Sequence, residues 1–308
     1  MKIKNIIMCA ALAVSCLVGI TGCQSGGNPG SNSGGNTVSA AGDGNSGGNS
    51  DGNTVSAAGD GKTGGNIDAV VLNEGDKIAV FEIEGFGTIK AKLYPDAAPV
   101  GVDNFIQLAE AGYYDGLKIH RVIEDFMFQG GSLNGNGTGG EAAVNGGSFG
   151  IEPNKSMRHF YGALCYANAM GSNSTQFYIV NNNEPQELSS SDAELYRSNA
   201  DTFEQYAEQM KGVSEDYEQY YRFQANYYRT IAEWVESASD EVKAKYAELG
   251  GTPSLDGNYT VFGQVYEGFD VIEAISAVEV EDNGNGEQSA PVSDIIISKV
   301  YVTDHAEG

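Results

Sequence analysis

From Gln24 to about Gly75 the chain is almost wholly Gly, Asn and Ser, with hardly a large apolar side chain. Such a stretch cannot bury enough surface to offset the entropy of ordering its backbone. It confines any folded core to the residues that follow. Within it the segment Gly35 to Gly44 recurs at Gly52 to Gly61. The repeat is too short and too polar for a solenoid. Residues 23–75 are therefore expected to be a flexible tether. A Gly-rich chain of roughly 50 residues has an r.m.s. span of about 40 Å.

Ahead of the tether, Lys2 and Lys4 precede an apolar run from Ile6 to Ile20. The run has the length of a signal-peptide core and is shorter than the ~20 residues a spanning helix needs. It ends in Ile20-Thr21-Gly22-Cys23, which resembles the lipobox of bacterial lipoproteins. That resemblance implies that residues 1–22 are removed and that Cys23 carries lipid, holding the protein to a membrane outside the cytoplasm. Cys9 and Cys16 would leave with the leader. Cys165 is then the one cysteine of the folded part, which excludes an internal disulfide there and leaves stability to the core. The 17 Lys and Arg against 42 Asp and Glu give a net charge of −25. A nucleic-acid partner needs a basic footprint, so that class is excluded. Electrostatic docking on anionic lipid is excluded for the same reason.

The folded domain is expected over residues 76–304. Ile78 to Ile83 and Thr88 to Leu93 read as strands joined by a Gly-containing turn. Pro99 opens a helix with Val102, Phe105, Ile106 and Ala109 on one face, closed by Gly112. Short strands are expected at 118–123, 126–129, 163–167, 176–180 and 259–265, then a helix at 267–277 and a closing strand at 294–302. Residues 187–250 differ: Ser191 with Glu194 fits a capping box, and Phe203, Tyr206, Ala207 and Met210 keep helical spacing. So do Tyr217, Tyr220, Tyr221, Tyr227, Tyr228, Ile231, Trp234 and Val235. This region is expected to be a helical insertion of two or three helices. Its tyrosines either pack the helices together or form a surface for a protein partner; the first reading is the simpler.

Ile119-His120-Arg121-Val122-Ile123-Glu124-Asp125-Phe126-Met127-Phe128-Gln129-Gly130-Gly131 closely resembles the signature of cyclophilins. Ala98-Pro99, Asn104-Phe105 and Gly112 to Gly116 match the helix and turn that precede it in that family. Gly137 to Gly140, Gly162 to Ala169, Ser174 to Ile179, Leu255-Asp256-Gly257 and Val261 to Val265 resemble the later blocks, in family order. The resemblance implies a mainly β fold: an eight-stranded antiparallel barrel capped by two helices, here with the helical insertion. It implies a peptidyl-prolyl cis-trans isomerase that needs no cofactor and takes Pro-containing polypeptides. By position, Arg121 and Gln129 would be catalytic. Phe126, Met127, Ala167, Asn168, Gln176, Tyr178, Leu255, Tyr259 and Phe262 would bind substrate.

The chemistry of these residue types agrees. The Xaa-Pro amide turns slowly over a barrier of ~18–20 kcal/mol. Turning it needs no nucleophile, metal or redox group, only an apolar pocket for the ring and a donor that favours loss of conjugation. Phe126, Met127, Leu255 and Phe262 can supply the pocket. Taken alone, Phe126, Met127 and Phe262 would read as core; the resemblance moves them to the pocket. Arg121 can donate to the prolyl nitrogen, since its guanidinium stays charged and forks over two acceptors, and Gln129 can hold it. His120 reads as structural. His159 and His305 show no ligand spacing with Cys or another His, so a zinc site is not expected. Two other classes stay open: a proline-peptide adaptor that binds without turnover, and a metal-dependent hydrolase, which lacks a coherent ligand set. Ser254 stands where many cyclophilins have Trp, Tyr259 where many have His, and Tyr178 where Phe is common. Weakened cyclosporin binding is the expected result.

Overall fold

The computed structural model describes Asn66, Asp68 and residues 70–306. The expected leader, Cys23 and most of the expected tether lie outside the described residues.

Strands β1 (Lys77–Ile83) and β2 (Gly87–Leu93) form a hairpin. β2 buries Ile89, Ala91 and Leu93 and turns Lys90 and Lys92 outward, the period-two pattern of a half-buried strand. Helix α1 (Pro99–Glu110) starts on its proline and buries Val102, Phe105, Leu108 and Ala109. Ile106, expected on that face, is half-buried at its edge.

Strands β3 (Lys118–Ile119), β4 (Arg121–Ile123), β5 (Met127–Gly130), β6 (Phe149–Gly150), β7 (Ala163–Ala169), β8 (Ser172–Val180), β9 (Val261–Glu267) and β12 (Ile295–Asp304) join the hairpin. All pairings are antiparallel, and the order is β3-β12-β1-β2-β9-β7-β8-β5-β4, with β6 against β8. Among the described residues the sheet thus has ten strands, where eight were expected. Residues 118–123, expected as one strand, break at His120: β3 pairs with β12 and β4 with β5. β6 is a two-residue addition. Helix α1 lies against β8 and β12, and helix α5 (Phe269–Ser276) against β2, β4 and β5. A separate hairpin of β10 (Val280–Asp282) and β11 (Gln288–Pro291), not foreseen in the sequence, packs β11 beside β4.

Between β8 and β9 come α2 (Ser190–Met210), α3 (Glu215–Glu236) and α4 (Asp240–Leu249). The capping box of α2 uses Ser189 and Asp192, not Ser191 and Glu194. Ser189 keeps the extended backbone that a cap requires, whereas Ser191 is already inside the first turn. Helices α2 and α3 form a hairpin sealed by Ala193 and Ala200 against Tyr228, Ile231 and Val235. Phe203 stacks on Tyr228 at 5.4 Å and Tyr206 meets Tyr221 at 5.5 Å, so many of the aromatic rings are spent between the helices. The two ends of the insertion are clasped. Asn182 Nδ2 donates to the Gly251 carbonyl (3.0 Å), and Gln186 N donates to that of Tyr246 (3.0 Å).

Contacts with the domain begin ahead of residue 76. Asn66 is buried; its side chain donates to the Arg158 carbonyl (2.7 Å) and accepts from Arg158 N (2.7 Å).

Candidate active site

Register brings the motif residues together. Arg121 on β4 faces Gln129 on β5, Gln129 faces Tyr178 on β8, and the row runs on through Cys165 to Val261. Residues opposite one another across strands share a face. Met127, Tyr178, Val180, Cys165 and Val261 accordingly form one apolar cluster, joined by Leu255, Phe126 and Tyr259. Their neighbours Val122, Phe128, Ile179 and Leu164 point the other way, into the main core.

A groove of about 480 Å³ opens over the first face. Arg121, Phe126, Met127, Gln129, Ala167, Asn168, Gln176, Tyr178, Leu255 and Tyr259 all border it. Phe262 does not. It is fully buried on the opposite face, with its ring 4.5 Å from Tyr166 and 5.3 Å from Phe105. One step along β9 from Val261 reverses the side chain, so Phe262 belongs to the core rather than the pocket. His120, Asn283, Asn285 and Ala290 also border it, the last three from the unforeseen hairpin.

Arg121 is the cation of this lining, and its side chain is only 8 % exposed. Its Nη1 points toward Met127 Sδ (3.7 Å) and Gln129 Oε1 (3.5 Å), the latter at the outer limit of a hydrogen bond. Gln129 instead donates to Gln176 Oε1 (2.9 Å), and Gln176 donates to the Gly137 carbonyl (3.0 Å). The firm hold on Arg121 comes from Glu287: Nε and Nη2 donate to its two carboxylate oxygens at 2.7 and 2.8 Å.

Beneath the groove lies a buried polar network. His159 is bonded through Nδ1 to Asp256 Oδ1 (2.8 Å) and through Nε2 to the Tyr178 hydroxyl (2.9 Å). The two ring nitrogens are thus both engaged, one by the Asp256 carboxyl group and one by the Tyr178 hydroxyl. Asp256 Oδ2 accepts from Arg158 Nη1 (3.0 Å) and from the Tyr246 hydroxyl (2.9 Å) of α4. The insertion reaches the groove again through α3. Tyr227 meets Tyr259 edge-on at 6.4 Å, and Trp234 stacks on Arg158 at 4.5 Å. Sequence reasoning missed Glu287, Arg158, His159, Tyr246 and Tyr227. Only Asp256 carried a signal, as part of Leu-Asp-Gly.

Burial, helped by the adjacent Arg121, lowers the His120 pKa to about 4, so the imidazole is neutral at pH 7. Burial pushes the Cys165 thiol up, keeping it protonated, and raises the Tyr178 and Tyr246 hydroxyls well above their usual range. The described residues hold no group of three or more His, Cys, Asp or Glu that could bind a metal.

A family model for cyclophilin type peptidyl-prolyl cis-trans isomerases matches residues 78–195 and 240–302, interrupted within the inserted helices. The chain is 37 % identical over 220 residues to a Staphylococcus haemolyticus protein whose name assigns it to the peptidyl-prolyl cis-trans isomerases, covering 71 % of this chain and 87 % of that one. It is 36 % identical over 231 residues to a similarly named Staphylococcus saprophyticus protein, covering 75 % and 94 %. The chain belongs to the cyclophilin-type peptidyl-prolyl cis-trans isomerases. A solved cyclophilin-type isomerase of Cryptosporidium parvum, crystallised with the dipeptide Ala-Pro, aligns at 19 % identity and TM-score 0.47 over 75 % of this chain and 99 % of that one. Cyclophilin membership itself rests on the family model and the staphylococcal relatives.

The arrangement suits cyclophilin chemistry. An apolar depression floored by Met127 and Leu255 lies beside a guanidinium donor that cannot lose its charge. Proline is a compact, largely apolar ring, and a row of Phe, Met, Leu and Tyr can exclude water around it.

Proposed function

We propose that this isomerase turns Xaa-Pro bonds in exported polypeptides at the outer face of a membrane, held there by lipid on Cys23. The proline ring enters between Phe126, Met127, Leu255 and Tyr259. Arg121 Nη1 donates to the prolyl nitrogen as its lone pair leaves conjugation with the carbonyl. That bond is stronger in the twisted transition state than in either planar ground state, which is the condition for acceleration. Ala167, Asn168 and Gln176 line the path of the flanking peptide. Residues 118–123 join the two ends of the strand order, and His120 N donates to the Gln129 carbonyl (3.0 Å), which supports reading the sheet as a barrel.

The observation that carries this reading is Arg121 poised at Met127 on the apolar groove. Exchange of a short Ala-Pro-Phe peptide by NMR tests it. The full chain is expected to accelerate cis-to-trans exchange, and Arg121→Ala to lose about 100-fold or more, the scale of removing a transition-state donor. Peptide binding without acceleration would make the groove an adaptor instead. The anchor has its own test: mass spectrometry of the mature protein from membranes, where an unmodified Cys23 would remove it.

A further inference from the structure

The geometry points to Glu287 as the positioning residue for Arg121, a role the motif had given to Gln129. This rests on the isomerase reading above and deepens it. Glu287 takes the Nε and Nη2 edge of the guanidinium in a two-point bond, which fixes its plane as well as its position. The edge left over carries Nη1, the donor nearest Met127 and the groove. The carboxylate therefore holds Arg121 from the side away from the pocket floor and leaves the working donor clear.

Glu287 is itself held. Its Oε2 accepts from Ser289 Oγ (2.7 Å) and Asn283 Nδ2 (3.2 Å), both on the β10–β11 hairpin, and Ser289 is fully buried. The Glu287 side chain is only 11 % exposed, so water competes weakly for the pair. β11 lies against β4, so the strand that bears Arg121 and the hairpin that bears Glu287 are packed together. Gln129 contributes less: its contact is 3.5 Å and its amide is committed to Gln176. A buried arginine freed of its carboxylate would swing between Gln129, water and the groove. Small misplacements of a catalytic group cost large factors in rate.

The test is peptide exchange by NMR at several Ala-Pro-Phe concentrations. It uses the full chain and its Glu287→Ala, Glu287→Gln, Arg121→Ala and Arg121→Ala/Glu287→Ala variants, with a thermal melt of each. Glu287→Ala is expected to lose about tenfold in kcat with KM within about twofold. Glu287→Gln, which keeps a planar acceptor, should lose less. In the Arg121→Ala background the second change should leave the rate where it was, because the residue acts only through Arg121. A hairpin strut without a positioning role would lower the melting temperature in both backgrounds and leave kcat of the folded fraction unchanged; that outcome overturns the proposal. So does a Glu287→Ala variant faster than the parent, which would make the carboxylate a brake. A parent chain with no acceleration removes the isomerase reading and this one together. An active parent with an equally active Glu287→Ala removes this one alone.

Discussion

His120 follows Ile119 in the motif and sits on the rim of the groove, yet its environment makes it a poor acid or base. Burial and Arg121 hold its pKa near 4, against about 6.5 in an unfolded chain. Between those values the unfolded chain takes a proton that the folded chain resists. Stability is therefore full above pH 6.5 and is lost as pH falls toward 4. Urea midpoints should drop between pH 7 and pH 5, and a His120→Gln chain should drop less; identical curves for the two would place the loss elsewhere. The motif told where Arg121, Met127 and Gln129 stand, because a strand in register leaves little freedom. It misplaced Phe262, since without the structure Val261 and Phe262 are both apolar and either could face the groove. Glu287 was beyond reach of any reading: it lies 166 residues from Arg121, in an Asn- and Gly-rich turn with no pattern of its own.

At the scale of elements, the longer strands of the sheet and α1 were readable because their apolar residues recur at two or at three to four positions; the two-residue β6 and the break at His120 were not. The β10–β11 hairpin was not, because Val280–Asp282 is too short to show alternation and is followed by Asn283-Gly284-Asn285-Gly286. The α2 cap slipped by two residues because Ser189/Asp192 and Ser191/Glu194 both carry the Ser-x-x-acid spacing. Where α3 meets the groove, the sequence shows only Gly257. Its φ is 78°, and a Cβ there would fall 2.3 Å from Trp234 Nε1. Gly257→Ala must therefore strain its backbone and push Trp234 off Arg158. A loss of about 2 kcal/mol or more is expected in chemical denaturation. A change within error would show that the helix is not seated on this loop in solution.

For the whole molecule, the insertion is part of the groove's foundation. Tyr246 satisfies Asp256, Trp234 covers Arg158 and Tyr227 backs Tyr259. Replacing residues 187–250 by a short linker would expose Arg158 and Asp256, which are nearly inaccessible to water as they stand. The melting temperature should fall by several degrees, since each kcal/mol shifts it by about 2–4 °C in a domain of this size. Isomerase activity should fall with it. A trimmed chain that melts and turns over like the parent would show that the residues of the sheet and its loops hold the network alone. The sequence located this insertion by its helical spacing. It could not show which face docks, because its exposed and its docked tyrosines share that spacing.

The clasp between Asn182 and Gly251 has a consequence for how the chain folds. β8 and β9 flank β7 in the sheet, and everything from Asn181 to Thr260 lies between them in sequence. As slack chain, that connection would make β9 a late, entropically costly arrival. The α2–α3 hairpin instead draws on contacts between near neighbours in sequence, which form quickly. Once it stands and its ends meet at Asn182 and Gly251, β9 reaches β7 as though from a tight turn. The long detour in sequence then becomes a short path in topology.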